Sequence, residues 1–101
     1  MVEFKFIDYG TDFGTRDMGH KLRQKLLELI NSGEKVILDF TGVNVVSNSF
    51  ADECIAKLLQ EMPLDELKRH TTFRGLNPLA ERSVLVALQR RYKVITEAAP
   101  R

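Results

Sequence analysis

A chain of 101 residues, 44% hydrophobic and 29% charged, has the composition of a folded globular domain and not of a disordered segment. Its mass allows a core without disulfides or metal. Fifteen basic against fourteen acidic residues leave a net charge of +1, which excludes the strongly basic balance of a bulk nucleic-acid binder.

Val2, Phe4 and Phe6 alternate with Glu3 and Lys5, the period of a first strand ending near Ile7. Asp8 to Gly14 is turn-rich, and reads either as a loop or as a tight hairpin leading into a short second strand. Met18, Leu22, Leu26, Leu29 and Ile30 form the stripe of an amphipathic helix over Arg16 to Ser32, stopped by Gly33. Val36-Ile37-Leu38 is apolar on both faces, the mark of a central strand in a parallel sheet. A second helix follows Ser47-Asn48-Ser49 and is expected to reach about Glu61, ended by Pro63. Leu64 to His70 reads as a polar connection, Thr71 to Leu76 as a third main strand, and Asn77-Pro78 as the cap and first residue of a helix reaching about Arg91. Lys93 to Thr96 reads as a final edge strand, and the residues from Ala98 should fray. Strands alternating with helices at this spacing predict an α/β fold, with a mostly parallel central sheet of four to five strands and about three helices. One domain over residues 1–101 is expected.

The single cysteine, Cys54, cannot form an internal disulfide, and no N-terminal leader pattern is recognisable. Apolar runs such as Val84 to Leu88 fall far short of the ~20 residues that cross a bilayer. A cytoplasmic protein without membrane contact is expected. His20, Cys54 and His70 are too scattered for a metal site, so neither metal nor cofactor is expected. Nucleic-acid contact would require Arg82, Arg90, Arg91 and Lys93 to share one face with Lys68 and Arg69, and no aromatic stacking platform accompanies them.

The stretch Val36-Ile37-Leu38-Asp39-Phe40-Thr41-Gly42-Val43, continued by Ser47-Asn48-Ser49-Phe50-Ala51-Asp52-Glu53, carries the most specific signal. It resembles the core of a STAS domain, the fold of anti-sigma-factor antagonists. Within that fold it is similar to an uncharacterised branch associated with ATP-binding partners of the histidine-kinase type. The resemblance implies a non-catalytic interaction module in bacterial regulation, with a kinase-like ATP-binding protein as partner. It places partner contact, or phosphorylation, on Ser47, Asn48, Ser49, Phe50, Asp52 and Glu53. In the phosphorylated antagonists the loop reads Asp-Ser-Ser-Gly; Ser49 then takes the acceptor position, Asn48 and Ser47 stand for the preceding serine and aspartate, and Phe50 replaces the glycine.

The residues also admit plainer roles. Ser49 is a good N-cap with Asp52 reaching back to it, and the apolar spacing permits Phe50 in the core as readily as on the surface. Thr15 and Arg16 follow a glycine-bearing turn and could contact an anion, although Thr15 as a cap and Asp17 in the first helical turn explain the same residues. Asp39 ends the central strand, where it could satisfy loop N–H groups. The alternative function is a small phosphotransfer or hydrolytic enzyme using Asp39 and the Gly10 to Arg16 loop.

Overall fold

The alternation at the start of the chain makes β1 (Val2–Lys5), and the doubly apolar run makes β3 (Val36–Asp39), buried along its whole length. The computed structural model describes residues 1–98. β3 is the middle strand of a parallel three-stranded sheet, flanked by β1 and by β5 (Thr71–Arg74). The register sets Phe4, Leu38 and Phe73 side by side, and next to them Lys5, Asp39 and Arg74. Successive side chains point to opposite faces, so the first row belongs to the face under the helices and the second to a polar face. There Arg74 reaches Glu3 at 3.1 Å and Asp39 at 3.7 Å.

β2 (Asp12–Phe13) and β4 (Val45–Val46) pair with each other, again in parallel, as a separate two-stranded sheet. The five strands therefore divide three and two, where a single sheet of four to five was expected. The 3-10 turn Phe6–Tyr9 and the turn at Thr41-Gly42 carry the chain away from the main sheet, and a two-residue strand beyond each turn finds only the other as neighbour. The Asp8 to Gly14 segment is accordingly not a hairpin.

α1 (Arg16–Asn31) starts at Thr15, whose Oγ1 accepts from the Met18 N–H at 3.2 Å. It buries Gly19, Leu22, Leu26 and Ile30, leaving Met18 and Leu29 at the margin of the core. α2 (Asn48–Cys54) is shorter than expected: the chain tightens at Ile55 into a 3-10 turn, Ala56–Gln60. Residues Phe50 to Leu59 are apolar except for Asp52, Glu53 and Lys57, and the change of winding lets Ala56, Leu58 and Leu59 all be buried.

Leu64 to His70, expected as a connection, is a helix, α3 (Leu64–His70). Asp65 and Glu66 lie in its first turn and Lys68, Arg69 and His70 in its last, the arrangement that complements the helix dipole, and Leu67 anchors it in the core. α4 (Pro78–Ala98) is capped by Asn77, whose Oδ1 accepts from the Ala80 N–H at 2.8 Å. It continues through Lys93–Thr96, where an edge strand was expected. Val84, Ala87 and Ile95 repeat at helical spacing on its inner side, and this packing overrides the β-preference of Val94-Ile95-Thr96. The fraying expected from Ala98 onward falls, beyond Ala98 itself, outside the described residues.

α1 packs on α2 and α2 on α4, over one core that also takes in Phe4, Phe40 and Leu38. Among the described residues no helix is long and apolar enough to cross a membrane.

Candidate functional site

β4 delivers the chain to the start of α2. The Ser47 N–H donates to the Phe13 carbonyl at 2.9 Å, fixing the approach, and the Ser47 Oγ accepts from the Phe50 N–H at 3.0 Å. Ser47 is therefore the cap, and Ser49, expected in that role, is the second residue of the helix, within its first turn, with its side chain exposed. Asn48 is exposed beside it. Phe50 turns the other way. It is fully buried, 4.9 Å from Phe13 and edge-on to Phe6 at 6.4 Å between ring centres, so the structure removes it from the surface on which it was a candidate partner contact.

Asp52 and Glu53 are not a free acidic pair either. Asp52 accepts two hydrogen bonds from Arg91 of α4, at 2.6 and 3.1 Å, and one from Arg16 of α1 at 2.8 Å. Glu53 is buried and meets Arg23 at 2.8 Å, Lys57 at 2.9 Å and Arg16 at 3.3 Å, while Arg23 also donates to the Glu53 backbone carbonyl. Burial pushes both carboxyls up, but the hydrogen-bonded cations outweigh it: Asp52 is held below the usual carboxylate range by Arg91 and Arg16, and Glu53 is held at about 2 by Lys57, Arg23 and Arg16. Such closeness requires Gly19, since a Cβ there would stand 2.9 Å from the Glu53 Cβ. The capping box from Asp52 back to Ser49 does not form because Asp52 is drawn to α1 and α4.

Arg16, a candidate for contacting an outside anion, is thus engaged within the chain, although its side chain remains 53% exposed. Thr15 spends its hydroxyl on the cap. Asp39 accepts from the Thr41 N–H at 2.9 Å, and the hydrogen bonds from Thr41 hold its carboxyl below the ordinary range, helped by Arg74 and Lys5. Among the described residues no hydrogen bond or ion pair joins Asp39 to the Gly10 to Arg16 loop; Arg16 faces α2 while Asp39 faces Arg74. Cys54 is buried, which pushes its thiol up, away from the nucleophilic thiolate. No three His, Cys, Asp or Glu side chains among the described residues are grouped to hold a metal ion.

What surrounds Asn48 and Ser49 is a groove against α4. It consists of a hollow of about 390 Å³ lined by Arg16, Ser49 and Arg91 and another of about 520 Å³ lined by Val45, Ser47 and Arg82; Asn48, Val86 and Arg90 border both. Leu79 is 78% exposed, Val94 58% and Val45 44%, so aliphatic surface lies uncovered along the groove. The sequence reading overlooked this α4 stripe. Its signal was the spacing of Leu79, Val86 and Val94 near whole turns on one flank of a helix, once that helix is extended past Arg91. A larger hollow, about 680 Å³, lies at the far end between Pro63 and Tyr92, away from the start of α2.

No curated protein and no solved structure matches the chain. A family model described as a STAS-like domain of unknown function (DUF4325) matches residues 18–80. The matched stretch runs from the first turn of α1 to that of α4 and contains β3, the Ser47 cap and all of α2. It spans well over half of the sequence, and the chain therefore belongs to that family of STAS-like domains.

Proposed function

We propose that this chain is a non-catalytic regulatory module that binds a protein partner through the exposed start of α2, Ser47 to Ser49, and the groove between it and α4. The observation that carries this reading is the pairing of two exposed polar side chains, Asn48 and Ser49, with uncovered aliphatic surface on α4, on a helix start that the Asp52 and Glu53 ion pairs hold to α1 and α4. A rigid, part-apolar, part-polar surface is what a specific protein interface requires. The resemblance noted above makes an ATP-binding protein of the histidine-kinase type the first candidate partner.

Ser49 is the regulatory position in this reading. A phosphate there would add a charge of about −1.5 to −2 in a hollow lined by Arg16, Arg90 and Arg91. Asp52 and Glu53 are already matched by cations, so their repulsion is offset, and the phosphate occupies the arginines that a partner would use. Partner release is the consequence.

A photo-crosslinking residue placed at Asn48, with one at exposed Lys25 on α1 as control, tests the reading in cells. Asn48 should capture a defined partner that Lys25 does not, and the purified partner should bind Ser49→Ala normally but Ser49→Asp more than tenfold more weakly, about 1.4 kcal/mol. Equal capture from both positions, or none from Asn48, refutes the docking surface. Unchanged affinity of Ser49→Asp refutes the switch.

A further inference from the structure

The groove has a sign. Among the described residues four arginines, Arg16, Arg82, Arg90 and Arg91, line it against the single carboxylate of Asp52. Asp52 is spent on Arg16 and Arg91. Among the described residues neither Arg82 nor Arg90 enters an ion pair, and both are exposed. A chain of net charge +1 thus leaves two unmatched positive charges on one apolar surface.

Their spacing is informative. Leu79, Arg82, Val86, Arg90 and Val94 follow one another at three- and four-residue steps along one flank of α4. Arg82 and Arg90 are two turns apart, roughly 12 Å, with Val86 midway and Leu79 and Val94 beyond. A second copy is a poor occupant, because an antiparallel α4 centred on Val86 would set Arg82 of each copy against Arg90 of the other. Nucleic acid is disfavoured as well: the groove presents aliphatic side chains and no ring on which a base could stack, and the exposed Tyr92 borders the far hollow instead.

Building on the docking surface proposed above, we infer that its occupant is an amphipathic helix of a different protein, with aliphatic residues at three- to four-residue spacing and carboxylates about two turns apart. The aliphatic residues cover Leu79, Val86 and Val94, and the carboxylates meet Arg82 and Arg90. This is helix-in-groove recognition, in which charge fixes register and excludes self-pairing.

The test uses the full chain and defined probes. A fluorescent helical peptide of about 18 residues, or five turns, with leucines on one face and flanking glutamates, is compared by anisotropy with a twin carrying lysine for every glutamate. The glutamate peptide should bind at least tenfold more tightly, and its affinity should fall as salt is raised. Arg82→Glu combined with Arg90→Glu should reverse the preference in favour of the lysine twin, while Lys25→Glu should leave it intact; thermal melts confirm that the variants fold. Absence of a preference, or a preference that survives the reversal, overturns the inference. So does tighter binding of single-stranded DNA than of the glutamate peptide, or a dimer in sedimentation that Val86→Asp dissolves. Capture from Asn48 without a charge preference sinks only the helix chemistry, whereas no selective capture from Asn48 sinks the docking surface itself and the inference with it.

Discussion

Two hydroxyls two residues apart, on Ser47 and Ser49, have opposite surroundings. Ser47 gives its oxygen to the Phe50 N–H, one of the donors left unpaired where a helix begins, while Ser49 lies in the first turn facing solvent. Ser47→Ala should therefore lose about 1 kcal/mol in urea unfolding, and Ser49→Ala should stay within about 0.5 kcal/mol of the parent. A larger loss from Ser49→Ala than from Ser47→Ala would return the cap to Ser49. The sequence showed three polar residues in a row before an apolar stripe, and any of them suits a cap. Which one serves depends on where β4 ends, and that is decided by the Ser47 N–H reaching Phe13, a residue far back in the chain.

Where α1 crosses α2, two elementary effects compete at Gly19. Replacing a helical glycine by alanine ordinarily gains up to about 1 kcal/mol. Here the added Cβ would meet the Glu53 Cβ at 2.9 Å and the Cys54 backbone nitrogen at 3.2 Å, neither of them the yielding tip of a long side chain. Overpacking costs about 1–3 kcal/mol, so Gly19→Ala should lower the melting temperature; a rise would show slack in the crossing. The buried stripe of α1 was legible from its spacing, except that glycine, having no apolar side chain, left no mark in it. α3 was missed for the converse reason: its charges read as a solvated connection until their order, acids first and bases last, is weighed against the helix dipole.

Across the molecule, α1, α2 and α4 are tied by one ion cluster centred on Asp52 and Glu53, and its response to pH has a definite sign. Glu53 is held at about 2 against an ordinary 4.5, and Asp52 is shifted in the same direction. A depressed carboxyl stabilises the fold fully above its unfolded value and loses that contribution as pH falls through its folded one. Melting temperature should accordingly decline between about pH 4.5 and about pH 2. Glu53→Gln should flatten this decline and cost about 3 kcal/mol at neutral pH, because the largely covered Arg23 is left beside a neutral partner. A parent protein indifferent to acid in that window would mean the cluster contributes nothing to stability.

The local patterns of this sequence determined by themselves that strands alternate with helices, that Val36-Ile37-Leu38 is the middle strand, and that Thr15 and Asn77 open helices. Each of these depends on periods of two or 3.6 residues, on an unbroken apolar run, or on a side chain bonding its own neighbours. The break after Cys54, the helical state of Lys93 to Thr96, the burial of Phe50 and the division of the strands into two sheets were settled by tertiary packing. The same holds for the site. Nothing within a few residues of Asp52 or Glu53 announces Arg16, Arg23 or Arg91 as partners, because those cations arrive from other helices. Nor can an apolar stripe such as Leu79, half-buried Val86 and Val94 be recognised as only partly covered until the fold shows which flank of α4 lies against the core, since the energy of burial depends on area removed from water and not on residue type alone.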